Sequence, residues 1–169
     1  MMRRTIAMST TSSVLSSPPR RPMQLFYNDI WEVPLPEKHK FPMEKYKFVR
    51  RRLQSILQPG KLGVFHPSPL ASVIDLETTH CSNYIRRFVE GRFTEKENKA
   101  VGFPWSPQSV NRALSSVGGT IAATHSVCRD ECFVSAHIAG GTHHAFYDYG
   151  EGFCVFSDIA VAARVALRD

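Results

Sequence analysis

Residues 132–146 read CFVSAHIAGGTHHAF, and the succession of residue types in them decides the fold. Cys132–Ala139 is an apolar run rich in strand formers that stops at two glycines, as a buried strand does where it must turn. Downstream, Ser157–Leu167 carries small and apolar residues at helical spacing, with Ser157 or Asp158 as its cap. A strand, a glycine turn and a helix in this order are one unit of an α/β sheet. Ligands of such sheets sit outside the carboxyl ends of the strands, and Gly140-Gly141-Thr142-His143-His144 falls at such an end.

Upstream lies the longest helical signal, Pro107–Cys128, capped by Ser106, with Val110, Leu114, Val117 and Ile121 on one stripe. Gly118-Gly119 interrupts it. Each glycine costs about 1 kcal/mol relative to alanine inside a helix, so the pair implies close backbone packing or the approach of a ligand. Residues 92–106 are polar, contain Gly102 and Pro104, and read as a loop whose Trp105 caps a surface or lines a cleft. Before them come two helical pieces, Ser72–Leu76 and Ser82–Val89, and a short strand, Gly63–His66, bounded by Gly60 and Pro67.

A further helix, with Pro42 at its first position and Pro59-Gly60 as its stop, places Met43, Tyr46, Val49, Leu53, Ile56 and Leu57 on one face. Its Arg50-Arg51-Arg52 run reads as a solvated face. Leu25–Tyr27 is a plausible first strand. The whole order, β, α, β, α, α, α, β, α, predicts an α/β fold with an open, mainly parallel sheet flanked by helices.

A length of 169 residues is one domain's worth, and 43% hydrophobic with 21% charged residues allows a buried core. The net charge of +6 is uneven: residues 1–52 hold 11 Lys/Arg against 4 Asp/Glu, while residues 53–169 hold 10 against 11. A near-neutral body gives no basic face for nucleic acid, so no direct nucleic-acid partner is expected. No apolar stretch reaches the roughly 20 residues of a bilayer crossing, so no membrane partner is expected. Cys81, Cys128, Cys132 and Cys154 are too few for a disulfide scaffold and lack zinc-knuckle spacing, and read as reduced thiols. Residues 1–24, with four arginines, eight Ser/Thr and no acid, read either as a transit-peptide-like segment or as a disordered tail; residues 25–169 form the domain.

Chemistry concentrates after the third strand. Two adjacent imidazoles, His143 and His144, change charge near neutral pH and suit a general acid and a general base acting on one substrate. A bare His-His pair is more often two loop residues, one solvated and one packed. The preceding Gly140-Gly141 and the following Gly152-Phe153-Cys154 make that reading much weaker. His137, mid-strand, reads as a core histidine.

The stretch GGTHHAFYDYGEGFCVFSDIAVAARVAL, Gly140 to Leu167, resembles the zinc-dependent histone deacetylases of the arginase/deacetylase fold. Weaker agreement runs through LPEKHKFPMEKY, DLETTHCSNYI, GFPWSPQSV and SVGGTIAA, and the subgroup it resembles best is the class IV type of plants and bacteria. The resemblance implies hydrolysis of acetyl-lysine amides on histones or other proteins, a role in chromatin and transcription, and a nuclear or cytoplasmic location. The N-terminal segment pulls instead toward plastid or mitochondrion. It further implies that His144 accepts the proton of the attacking water and His143 stabilises the oxyanion. Gly152 would offer its carbonyl to the substrate amide, and Phe153 would wall the acyl-lysine tunnel.

In that family the zinc is held by an Asp and a His of a DxDxH motif and by a second, later Asp. No histidine follows His144 and no DxDxH motif occurs, so the expectation is that the zinc ligands are absent and that the chain has no metal site. His39, His66, His80 and His125 are too scattered for a local chelate, and only Asp148 and Asp158 lie near the pair. The expected consequence is a catalytically inactive, truncated form, an alternative isoform or partial product, holding the N-terminal part of the sheet. Its third strand would be an exposed edge open to a protein partner.

Overall fold

The computed structural model describes residues 21–58 and 60–169. Residues 1–20 of the expected N-terminal segment therefore lie outside the described residues, while Met23 and Gln24 already belong to the first strand. Strands β1 (Met23–Tyr27), β2 (Gly63–Pro67) and β3 (Ser135–His137) form one parallel sheet in the order β2-β1-β3. In the centre, Leu25 pairs with Phe65 on one side and Ala136 on the other. Leu25 and Phe26 are both buried, as befits a parallel strand covered on two faces.

Six helices surround the sheet among the described residues: α1 (Lys45–Leu57), α2 (Val73–Glu77), α3 (Ser82–Val89), α4 (Glu95–Val101), α5 (Pro107–Cys128) and α6 (Asp158–Arg168). The main core lies where α5 and α6 pack together, with Val117 and Ile121 against Val161 and Val165, closed by Leu76 of α2 and Tyr84 and Phe88 of α3. The glycine pair of α5 is there for close packing. A Cβ on Gly118 would stand 2.2 Å from the Pro69 carbonyl oxygen, and one on Gly119 would stand 2.5 Å from His137 Nε2.

Three expectations need correction. Residues 92–106 are not all loop, because α4 forms behind a capping box: Glu97 N–H donates to Thr94 Oγ1 at 3.3 Å and Thr94 N–H donates to Glu97 Oε2 at 2.8 Å. Helix α1 begins after Pro42, with Glu44 at its N-cap, and no residue of it is buried; Val49 and Ile56 are 46% and 51% exposed. Polar anchors hold it instead. Arg50 turns inward onto both oxygens of Asp29 (2.8 and 3.1 Å from Nε) and over the Tyr27 ring, so the arginine run is only partly a solvated face.

The third correction concerns β3, which has three residues where eight were expected. Its ladder with β1 extends only over Gln24–Phe26, so Phe133 and Val134 stay 66% and 53% exposed. Pro59, the expected stop of α1, lies outside the described residues, and Gln58 closes the helix with a φ of 46°. No described helix is long and apolar enough to cross a membrane.

Candidate active site

The loop that leaves β3 is fastened through its backbone. Gly141 N–H and Thr142 N–H each donate to the Asp158 carboxylate at 2.8 Å, and Thr120 Oγ1 donates to the same group at 2.6 Å. Asp158 is fully buried and opens α6, with its own N–H donating to Thr142 Oγ1 at 3.1 Å. The side chain expected to cap the helix therefore caps the loop instead, and Ser157, the N-cap residue, makes no side-chain cap bond.

A second polar chain continues from Thr120. Its hydroxyl gives its hydrogen to Asp158, so at 3.0 Å from His137 it accepts from Nδ1–H, which leaves His137 Nε2 to accept from Ser68 Oγ at 3.1 Å. Burial pushes the His137 imidazole down to about 4, so near neutral pH the ring is uncharged and structural.

His143 donates Nδ1–H to Gly141 O at 2.8 Å, which leaves Nε2 as its free nitrogen. His144 lies against it with ring centroids 4.2 Å apart and planes tilted by 40°. Gly152, with φ +56°, runs beneath His144: a Cβ there would stand 3.2 Å from the ring. The structure thus brings His143, His144, Gly152 and Phe153 together in the lining of one cavity of about 280 Å³.

Phe153 has a φ of 68°, a left-handed conformation that a bulky residue rarely adopts. Helix α4 holds it there. The last carbonyls of a helix have no partner within it, and those of Ala100 and Val101 accept from Gly152 N–H at 3.1 Å and Phe153 N–H at 2.7 Å. The Phe153 ring then packs on Phe41 and Phe103, at centroid distances of 4.9 and 5.2 Å, to form an aromatic wall. Sequence reasoning missed Phe41 and Phe103 as members of this wall.

His80 was missed as well. It is 2% exposed, donates Nδ1–H to Phe146 O at 2.8 Å and accepts Ser157 N–H on Nε2 at 3.0 Å, so it ties the loop after the histidine pair to the start of α6. Burial lowers its pKa, consistent with a neutral ring. Among the other scattered histidines, His39 bridges to Gly102 O at 2.9 Å beside the aromatic wall, and His66 meets Gln24 on the sheet. All four cysteines are free, and burial pushes the Cys154 thiol up, against reactivity.

Among the described residues no three His, Cys, Asp or Glu side chains are grouped to hold a metal ion. Asp158, the carboxylate tied to the histidine loop, has both oxygens committed to N–H and O–H donors, and Asp148 is exposed. Among the described residues, those near the histidine pair do not fit a zinc site with three protein ligands.

Residues 39–169 match the family described as the histone deacetylase domain. An uncharacterized protein of the cyanobacterium Picosynechococcus is 37% identical over 140 residues, covering 82% of this chain and 45% of the relative. The histone deacetylase-like amidohydrolase of Pseudomonas aeruginosa is 31% identical over 121 residues, 69% of this chain and 32% of its own length. The acetoin utilization protein AcuC of Bacillus subtilis is 30% identical over 103 residues, 56% of this chain and 27% of its own. The chain spans less than half the length of these curated relatives.

Proposed function

The chain belongs to the histone deacetylase domain family, and on that premise we propose that its His143–His144 loop is the acid–base part of a site that hydrolyses acyl-lysine amides. The observation that carries this reading is the contact of the two imidazoles, 4.2 Å apart, in the lining of a cavity walled by Phe41, Phe103 and Phe153. An acyl-lysine side chain is a thin apolar rod with an amide at its tip, and an apolar wall beside convergent polar groups suits it. In this reading His144 takes the proton of the attacking water, and His143, whose Nδ1–H is committed to Gly141 O, stabilises the oxyanion by donating from Nε2–H when its ring carries both protons. Gly152 offers its carbonyl oxygen to the substrate amide N–H, and Phe153 grips the alkyl chain.

In the family, bound zinc lowers the pKa of water from 15.7 to about 7 and acts as a Lewis acid. The residues here do not fit that ion, so no step is assigned to it. Acid–base catalysis by itself supplies about 10²–10⁴-fold, far short of amide hydrolysis, and the 169-residue chain alone is expected not to turn over. The substrate protein is an acetylated histone or another acetyl-lysine protein, met in the nucleus or cytoplasm, or in an organelle if residues 1–24 act as a targeting segment. The GGTHHAF stretch supports the class IV-like plant or bacterial type.

A second reading, a protein-interaction role, is favoured by the exposed edge at Phe133 and Val134. It predicts that Val134→Lys removes association while leaving acyl-lysine binding intact.

The test is calorimetric binding of an acetyl-lysine peptide to the 169-residue chain, alongside its hydrolysis with added zinc. Binding weakened about tenfold by Phe153→Ala, the loss expected when a large apolar contact is removed, supports the site. Binding indifferent to Phe153 refutes it. Turnover that disappears in His144→Ala overturns the expected inactivity.

A further inference from the structure

We propose that the cavity lined by the histidine pair contains a carboxylate site centred on Arg112, and that the acyl-lysine it prefers carries an acyl group ending in a carboxylate, as succinyl and glutaryl groups do. This inference rests on the acyl-lysine reading above and narrows its substrate class.

Arg112, on α5, is 6% exposed and lines the cavity. A guanidinium offers five N–H donors in a planar fork and stays charged, so burying it calls for an anion or several acceptors. Asn28 Oδ1 accepts one bond at a long 3.3 Å, and the Asn28 amide nitrogen is committed to Ser116 at 3.0 Å. Tyr46 supports the charge with a side-chain hydrogen bond and with its ring 4.5 Å from the guanidinium carbon, and Asp29 and Glu32 favour it from farther off, but none of these is a carboxylate paired with it. The neighbouring acid, Asp29, has both oxygens taken by Arg50. Among the described residues no carboxylate lies within ion-pair distance of Arg112. Burial works against its charge, as the lowered pKa reflects.

The rest of the lining has the same sign. Lys45 is a second cation, Ser109 and Ser116 offer hydroxyls, and no Asp or Glu lines the cavity. A cavity lined by two cations and no acid is complementary to an anion. A carboxylate matches the fork of Arg112 in bidentate geometry, with a charge-assisted bond about twice as strong as a neutral one.

Three peptides identical except at one lysine, bearing an acetyl, a succinyl or a succinamoyl group, are titrated calorimetrically into the 169-residue chain, together with free succinate. The succinyl peptide is expected to bind at least about tenfold more tightly than the acetyl and succinamoyl peptides, as a charged hydrogen bond gives. Arg112→Met is expected to erase that preference, and Arg112→Lys to keep part of it. Comparing succinyl with succinamoyl on the unaltered chain needs no variant, so misfolding of Arg112→Met leaves the test intact. Equal affinity for the three peptides overturns this inference and leaves the acyl-lysine reading standing. Free succinate binding as tightly as the succinyl peptide overturns it too, because the site then serves a free carboxylate and not an acyl group. Binding of none of the peptides overturns both.

Discussion

Asp158→Ala removes the acceptor on which the histidine loop hangs. The carboxylate is fully buried and takes three hydrogens, from Gly141 N–H at 2.8 Å, Thr142 N–H at 2.8 Å and Thr120 Oγ1 at 2.6 Å. A buried donor left without an acceptor costs about 1–3 kcal/mol. Gly141, His143 and His144 are exposed, so water reaches part of the loop and the three costs do not add in full. The expected loss is about 3 kcal/mol, a large fraction of the 5–15 kcal/mol of a typical domain. The assay is urea unfolding followed by circular dichroism, read as a lower midpoint at unchanged slope. Asp148→Ala, an exposed acid in the same loop, is the control and should shift stability by no more than about 0.5 kcal/mol. Thr120→Val should cost about 1 kcal/mol and reduce what Asp158→Ala then costs, because the two share one bond. If Asp158→Ala proves as mild as Asp148→Ala, the loop is not held by this carboxylate and the account of the site fails.

Gly118→Ala should destabilise the chain even though alanine is the better helix former by about 1 kcal/mol. The new Cβ would meet the Pro69 carbonyl oxygen at 2.2 Å, a backbone atom that cannot swing away, so a lower melting temperature is expected and an unchanged or higher one refutes the packing. Acid should weaken the fold through its buried histidines. Burial holds His137 at about 4 against an ordinary 6.5 and lowers His80 too, so the folded state resists the proton that the unfolded chain binds. The contribution of His137 is intact above about pH 6.5, falls as the pH drops toward about 4 and levels off below it, with a slope of at most about 1.4 kcal/mol per pH unit, and His80 acts in the same direction. Urea midpoints across this range should show the slope, and His137→Asn should flatten it; a slope unaffected by that substitution refutes the assignment.

Periodicity made the α/β order readable because the largest elements bury one continuous stripe: α5 was legible from Val110 to Ile121, and Ser82–Val89 was found at its observed bounds. What escaped was set by partners distant in sequence. Eight residues from Cys132 have strand character, but how many pair depends on the length of β1, which offers that side only Gln24–Phe26. The apolar stripe of α1 was real as a pattern and misleading as a burial map, since Arg50 and Asp29 anchor the helix. Helix α4 did carry a readable signal, Thr94 and Glu97 at capping-box spacing, hidden by the polar composition around it. In the site, His143, His144, Gly152 and Phe153 were readable from their motif. His80 and Arg112 were not, because nothing in ETTH or VNRAL shows where the chain returns to meet them.

The way the two halves of the site are fastened explains how exposed histidines are positioned by residues they do not touch. Gly141 and Thr142 bring backbone N–H groups that need an acceptor, and the start of α6 supplies one in Asp158. Gly152 and Phe153 likewise bring N–H groups, and the end of α4 supplies the free carbonyls of Ala100 and Val101. His80 then joins the segment between these attachments to Ser157. Each attachment uses a backbone group that a helix end leaves unpaired or a buried side chain, so none of them occupies a ring nitrogen of His143 or His144. His143 commits only Nδ1, to a carbonyl two residues away. A loop held in this way keeps its shape when either histidine is replaced, so His144→Ala reports on chemistry with the cavity and its aromatic wall still in place.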